Sequence, residues 1–277
     1  MRKTAILFLL LTLAPALLPA QELPFAGGES VKYTIHYKYG VNADLASLTV
    51  TGEQKGQDYH VTAHISTFRF WDSFYKIRDR YESTFSMTGD LKPRSALRDV
   101  NEGGYWAKCN YTWGGDPSRV HAVIDKRNRP HRDTVMQENG AIRDIFNMIY
   151  YCRVADYGKL EKGAKVRGIV AMDRTIYRVT VRQVGREKKK IGGKVWNTVK
   201  LGISMTVEGA DMGENNTSIS LGDSADDFTG GEKMWFWVSD DANRLPVFFS
   251  ANLKVGAVQG RLEEVKGNKY PFTAQTD

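Results

Sequence analysis

The sequence contains little cysteine: two residues, Cys109 and Cys152, in a chain of 277. This excludes a small disulfide-rich scaffold, and neither cysteine lies in a CxxC or a Cys/His cluster with metal-ligand spacing. We therefore predict no metal site. In an oxidising compartment the two cysteines would suit a disulfide, because the loop between them is long enough for a bond to constrain the unfolded chain. Two separate buried thiols are the alternative, and the sequence leaves both open.

Long apolar runs are also absent after the N-terminus. The first 20 residues, MRKTAILFLLLTLAPALLPA, have a basic start, an apolar stretch and a small residue at the end, which is the order of a secretory signal peptide. The apolar stretch is shorter than the ~20 residues of a membrane-spanning helix. We predict a signal peptide over 1–20, export, a single β-rich domain over 21–277, and no transmembrane segment in the mature chain.

The sequence lacks the common catalytic motifs: it has no GxSxG, no HExxH and no phosphate-cradling GxxxxGK. It also lacks a strong excess of one charge, because 39 basic residues face 32 acidic ones and both are spread along the chain. These absences favour a protein without catalytic activity, without catalytic residues to name, without a cofactor and without a nucleic-acid partner. A triad scattered through the sequence would escape such a search.

The sequence does show apolar and polar residues that alternate with a period of two. In VKYTIHYKY, Val31, Tyr33, Ile35, Tyr37 and Tyr39 alternate with polar residues. The segments DYHVTAHIST and TIYRVTVRQV show the same alternation, with turn-rich joints between the runs. Alternation of apolar and polar residues is typical of antiparallel strands with one wet face. We predict a mainly β protein: a curved antiparallel sheet or barrel-like β-roll.

One segment departs from this pattern. In GAIRDIFNMIYYCRVADYG, an apolar face with helical spacing ends before Gly158, and its members are Ile142, Ile145, Phe146, Ile149 and Cys152. An amphipathic helix needs a surface to cover, and the sheet is the surface available. We predict one helix packed against the concave side of the sheet or closing one mouth of the roll.

These landmarks, in this order, resemble the bacterial domain-of-unknown-function family 3108, a family of exported proteins. The segments that carry the resemblance are GGESVKYTIHY, YKIRDRYESTF followed by LKP, IYYCRVAD, TIYRVTVRQVGREKKKIGGKVWNTVKL, WFWVSDDANRLPV and KVGAVQGRLEEV. Together they cover nearly all of the chain after the signal. The resemblance implies a β fold and a periplasmic or envelope-associated location, and it implies no established activity.

The aromatic stretch MWFWVSDDANRLPVFF contains adjacent carboxylates, Asp240 and Asp241. An acid/base pair must face a substrate from two sides, ~5 to 9 Å apart, whereas chain neighbours usually diverge. Asp and Asn also bond their own backbone in turns, and Asn243 tolerates a left-handed conformation. We therefore predict a turn between two strands here. His60 and His64, on a strand, are too far apart to share a metal ion.

The favoured hypothesis is an exported cell-envelope protein that binds an apolar or amphiphilic ligand in a β-roll interior or cleft. Its predicted ligand-binding residues are aromatic: Phe70, Trp71, Phe74, Trp235 and Trp237. Other envelope components are further partners to consider.

Two alternatives remain. The first is a secreted hydrolase acting on envelope glycans through carboxylates such as Asp72, Asp79 or Asp240. The second is a module that binds polyanions or lipid headgroups through the basic segment GREKKKIGGK, which spans Arg186 to Lys194 and which we predict to be a hairpin tip.

Overall fold

The computed structural model describes residues 22–39, 41–207, 234–253 and 256–276, so the predicted signal peptide lies outside the described residues. The described part contains sixteen strands and one α-helix, α1 (Ile145–Val154). The strands are β1 (Glu29–Tyr39), β2 (Val41–Lys55), β3 (Asp58–Thr67), β4 (Arg78–Ser86), β5 (Pro93–Glu102), β6 (Tyr105–Thr112), β7 (Arg119–Lys126), β8 (Arg132–Gln137), β9 (Ile142–Arg143), β10 (Lys165–Met172), β11 (Thr175–Ile191), β12 (Lys194–Val207), β13 (Met234–Ser239), β14 (Pro246–Asn252), β15 (Ala257–Lys266) and β16 (Gln275–Thr276).

All of these strands belong to one sheet that curls into a nearly closed barrel. Its order is β8-β7-β6-β5-β4-β3-β2-β1-β15-β14-β13-β12-β11-β10-β9, with β16 added beside β12. Neighbours are antiparallel except β9 and β10, which are parallel. Near the closing seam, Ile142 N in β9 donates to Pro117 O, 2.7 Å away, in the loop before β7. The mainly β prediction is confirmed.

The period-two pattern identifies the inner face of the sheet. Tyr59, Val61 and Ala63 of β3 are fully buried, whereas their polar neighbours on the other face remain accessible. Val31, Tyr33 and Ile35 of β1 and Tyr177, Val179 and Val181 of β11 are buried in the same way. Burial of one face of each strand therefore forms the core, as the alternation predicts.

The helix is shorter than its apolar pattern suggests. Ile142 belongs to β9, and the helix begins only after Asp144, whose Oδ1 accepts hydrogen bonds from Phe146 N (2.9 Å) and Asn147 N (3.0 Å). This side-chain cap satisfies amides that have no partner within the helix. The helix has its C-cap at Ala155, before Gly158.

Helix α1 lies inside the curl of the sheet, so more than one of its sides is covered. Its buried residues are Asn147, Met148, Tyr150, Arg153 and Val154. The predicted face at Ile145, Phe146, Ile149 and Cys152 is instead half-buried. The prediction of one helix packed against the concave side of the sheet is confirmed, and the surface opposite this face is not packed tightly against it.

Burial raises the pKa of the Asp144 carboxyl from 3.8 to about 6. The folded protein therefore holds this proton more tightly than the unfolded chain does. The resulting contribution to the free energy of unfolding is fully present below the unfolded pKa, and it is lost as the pH rises through the folded pKa. We expect the Asp144→Asn variant to gain up to about 3 kcal/mol of unfolding free energy relative to the parent between about pH 4 and pH 7. Urea unfolding of both proteins at each pH measures this gain. A constant difference would contradict the expectation.

The stretch with adjacent carboxylates is a turn between β13 and β14. Asp241 Oδ1 accepts from Ser239 Oγ (2.8 Å) and from Asn243 N (3.0 Å), which is an Asx-type arrangement. Asp240 forms an ion pair with Arg186 at 2.9 Å. The predicted turn is present, and its left-handed residue is Arg244, with φ 47°, rather than Asn243, which would tolerate that conformation.

The basic segment from Arg186 to Lys194 lies mainly on strands. Strand β11 extends to Ile191, and the turn consists of Gly192 and Gly193, which both have positive φ (58° and 82°). Two consecutive positive φ values match the twist of a tight hairpin, and glycine adopts them without steric cost. The hairpin prediction is correct, but most of the positive charge is on the strand rather than at the tip.

Candidate ligand-binding cavity

An apolar cavity of about 240 Å³ lies between α1 and the inner face of β10–β13. The helix contributes Ile145, Met148, Ile149 and Cys152 to its wall. The strands contribute valine, leucine, isoleucine, methionine and phenylalanine side chains. The half-buried face of α1 therefore borders the cavity rather than packed core.

Local sequence explains how the helix and the sheet approach each other. Gly168 on β10 has no side chain, and a Cβ atom there would lie 2.5 Å from Met148 Sδ. Alternate residues of β11, β12 and β13 point inward, among them Val181, Met205 and Phe236. Methionines in this wall have flexible side chains that adapt to an irregular space.

One end of the cavity is polar, and its charges are balanced. Arg153 is 3% exposed and donates to both carboxylate oxygens of Glu29, at 2.5 and 2.8 Å. Glu29 also accepts from Tyr150 Oη at 3.2 Å. Arg244 donates to the carbonyl of Val154 at the end of α1 and forms an ion pair with Asp156 at 3.3 Å. These pairs leave little net charge to attract an ion into the cavity.

A second, smaller cavity of about 130 Å³ lies on the other flank of α1, toward β1, β2 and β14. Ile149, Arg153, Phe236 and Pro246 border both cavities. The helix therefore divides the inside of the curled sheet into two adjoining apolar spaces.

Comparison with known proteins assigns the chain to a family. The family described as "Protein of unknown function (DUF3108)" matches residues 32–263. The chain belongs to the DUF3108 family. This match includes α1 and the strands that border the two cavities except the first residues of β1, and it confirms the resemblance seen in the sequence. No curated protein matches the sequence.

A solved structure shares the barrel-like fold of this DUF3108 protein, and a second one is a weaker match. A beta-barrel-like protein of domain of unknown function DUF1849 from Brucella abortus has a TM-score of 0.53 at 8% identity, with 87% of this chain and 98% of that chain covered. A protein with a YmcC-like fold from Bacteroides fragilis has a TM-score of 0.33 at 12% identity, with 89% and 99% covered. The first likeness shows the barrel-like fold alone.

The tryptophans predicted to bind ligand lie on the far side of the cavity wall. Trp235 and Trp237 point away from the inner face of β13, whereas Met234, Phe236 and Val238 line the cavity. The indole N–H of Trp237 donates to Glu187. Sequence reasoning missed the lining residues of the DUF3108 protein, and the signal that could have found them was the inward alternation of β11–β13 combined with the helix face.

Lys189 covers the outward side of the same wall. Its Nζ lies 4.0 Å from the centre of the Trp237 ring and 4.2 Å from that of Phe248. Burial there lowers the pKa of the Lys189 ammonium. These rings are therefore occupied by contacts within the protein.

The other predicted aromatic residues form a separate cluster between β3 and β4. Ring centres of Phe70 and Trp71 are 5.0 Å apart, and those of Phe70 and Phe74 are 5.6 Å apart. Phe70 and Phe74 are 68% and 72% exposed. The structure thus does not bring the five predicted residues together, and none of them lines the cavity.

Both cysteines are free thiols in the structure, so the disulfide alternative is not realised there. Cys109 is fully buried in β6, and its thiol donates to Asp173 Oδ1 at 3.4 Å. Cys152 lies on α1 in the cavity wall. Burial raises the pKa of Cys109 to about 12 and that of Cys152 to about 11. Both thiols are therefore protonated and poorly nucleophilic at neutral pH.

The carboxylates named for hydrolysis have separate partners. Asp72 pairs with Arg78 at 2.5 Å on an exposed loop, and Asp240 pairs with Arg186. Asp79 is buried in β4, where it accepts from Asn101 N at 3.0 Å and where burial raises its pKa. Among the described residues, no three His, Cys, Asp or Glu side chains gather as metal ligands, and no helix is long and apolar enough to cross a membrane.

Proposed function

We propose that this protein binds an apolar or amphiphilic ligand inside its curled sheet and catalyses no reaction. The observation that carries this proposal is the apolar cavity between α1 and β10–β13. Its volume of about 240 Å³ exceeds the ~150 Å³ of an engineered apolar cavity that holds benzene. It approaches the ~300 Å³ at which ligand pockets begin.

The lining also indicates which part of a ligand would enter. Because Arg153 and Arg244 are already paired with Glu29 and Asp156, the buried part of the ligand is uncharged. Four of the lining residues are methionines: Met148, Met172, Met205 and Met234. Their flexible thioethers adapt to different shapes, so the site suits a hydrocarbon chain rather than one rigid outline. A headgroup would remain outside.

We place this function in the bacterial cell envelope, in the periplasm. The basis is the signal-like order of residues 1–20. Residues 21–277 would then be the mature chain, acting as one β-rich domain. Native mass spectrometry of protein purified from its own envelope tests the proposal directly. A bound lipid-like mass supports it, whereas a protein that is always ligand-free would contradict it.

A cavity-filling variant gives the sharper test. Val181 is buried and lines the cavity, so Val181→Phe places a ring in the empty space. We expect this variant to weaken binding of the apolar fluorophore N-phenyl-1-naphthylamine at least about tenfold, a change of roughly 1.4 kcal/mol. Its stability should stay level or rise by about 0.5–2 kcal/mol. Fluorescence titration and thermal unfolding measure the two effects.

The matched control makes the same substitution on the surface. Val135 on edge strand β8 is 51% exposed, so Val135→Phe adds an identical ring away from the cavity. Both binding and stability should match the parent protein. If Val181→Phe folds normally and binds the probe as well as Val135→Phe does, the cavity is not the binding site.

A further inference from the structure

The connections at one end of the β1–β8 meander share an exposed aromatic and basic surface. Because consecutive strands are neighbours there, the β1–β2, β3–β4, β5–β6 and β7–β8 connections fall at the same end. Contacts confirm this: Gly103 N in the β5–β6 turn donates to Lys76 O at 2.9 Å, and the Arg127 guanidinium donates to Gly104 O. Phe68 N also donates to Leu45 O at 2.9 Å.

Aromatic rings protrude from this end. The loop between β3 and β4 exposes Phe68, Phe70, Phe74 and Tyr75, and Trp106 beside the β5–β6 turn is also exposed. An exposed cluster of large apolar side chains usually marks an interaction surface.

The protruding loop is held in place by polar contacts beneath the rings. Asp72 accepts from Thr67 Oγ1 at 2.5 Å and pairs with Arg78, while Trp71 Nε1 donates to Asp44 O at 2.8 Å. The loop is therefore already ordered, and binding would not have to order it.

Positive charge surrounds the rings. Six basic side chains at this end are exposed: Lys38, Arg69, Lys76, Arg127, Arg129 and Arg132. Three of the acidic residues here have partners: Asp44 pairs with Arg261, Asp72 with Arg78, and Asp125 with His131, which carries charge only when it is protonated. Within the connections alone, residues 68–77, 103–104 and 127–131 at this end contain four Lys and Arg residues and one acidic residue. The connections at the opposite end, 56–57, 87–92 and 113–118, contain one basic residue and two acidic ones, and their single tryptophan is buried.

We propose that this end of the meander docks on an anionic lipid surface. The rings would enter the headgroup region, where aromatic side chains are favoured, and the basic residues would face lipid phosphates. Charges spread over three connections match an extended planar surface better than a single small ligand. This surface is distinct from the cavity, and it is also distinct from the basic strand around Lys188 and Lys190, which lies at the other end of the sheet.

Vesicle co-sedimentation with the mature protein tests the proposal. The probe vesicles contain equal parts of phosphatidylcholine and phosphatidylglycerol, and vesicles of phosphatidylcholine alone serve for comparison. We expect binding to the anionic vesicles that weakens as salt rises. Phe70→Ser combined with Phe74→Ser should reduce it about tenfold per ring, and Arg127→Gln combined with Arg129→Gln about fivefold per charge.

Matched controls separate this surface from other basic regions. Lys188→Gln combined with Lys190→Gln removes two exposed charges at the opposite end and should leave vesicle binding unchanged. Thermal unfolding of all variants should match the parent, because the replaced side chains are exposed. Two results would overturn the proposal: vesicle binding that survives loss of both phenylalanines, or a parent protein that does not bind the anionic vesicles. In the second case, a dimer that the phenylalanine variant abolishes would identify a second copy of the chain as the partner of this surface.

Discussion

Replacing Glu29 by Ala lowers the free energy of unfolding by about 3–5 kcal/mol, the largest effect we expect from a single carboxylate. Glu29 and Arg153 are 1% and 3% exposed, so the substitution would strand a buried guanidinium without its counter-ion. Arg153 would keep only the carbonyls of Pro24 and Asn243 as hydrogen-bond acceptors. Urea unfolding at neutral pH measures the loss.

Two further variants separate burial from charge. Glu263→Ala breaks an ion pair with Lys32 whose side chains are 48% and 41% exposed, and it should change stability by less than about 1 kcal/mol. Glu29→Leu combined with Arg153→Met removes both buried charges and should recover much of the loss. Equal costs for Glu29→Ala and Glu263→Ala would show that the buried pair is not isolated from solvent.

Replacing Trp237 by Ala should cost about 3–5 kcal/mol. The ring is 7% exposed, lies 5.1 Å from the centre of Phe248 and contacts Lys189. Trp235, two residues earlier on the same face, is only half-buried, so Trp235→Ala is the matched control and should cost less. Thermal and urea unfolding compare the two variants.

Ligand binding provides the second readout for these tryptophans. Because both point away from the cavity, a folded Trp237→Ala protein should bind the naphthylamine probe like the parent. Loss of probe binding without loss of stability would show that the outer face of β13 is the ligand site, as the sequence alone suggested.

The β fold could be predicted because each strand has its own local pattern. A buried face produces alternation whatever the strand pairs with, so Val31, Tyr59 and Val179 could be assigned inward without knowing the topology. The start of the helix was harder to predict from the sequence. Ile142 fits the helical spacing, but Asp144 satisfies the first amides two residues later, and Ile142 pairs with Ile169 of β10 instead.

The candidate site could not be predicted because it depends on distant pairs. The Glu29–Arg153 contact spans 124 residues, and periodicity carries no information about such partners. Periodicity also shows which face is apolar but not whether the opposite surface fills the space. The helical spacing therefore predicts the apolar face that contains Ile145 and Ile149, but not the cavity that this face borders. Residue type misled in a similar way, because the two tryptophan rings of β13 lie on the other side of the strand, whereas Phe236 lines the cavity.

The pairing of β1 with β15 has a consequence for how the chain reaches its native state. Lys38 lies opposite Ala257, and Tyr270 Oη donates to Glu22 at 3.0 Å across 248 residues. Contacts between residues so far apart in sequence form slowly, because the chain loses the entropy of closing a long loop before these contacts contribute favourable free energy. Since synthesis proceeds from the N-terminus, β15 follows every described strand except β16, and until it is made β1 has β2 as its only hydrogen-bonded neighbour among the described strands. Joining of the two halves of the sheet is therefore a late folding event, and an unpaired β1 edge is the point at which a factor guarding against aggregation would act.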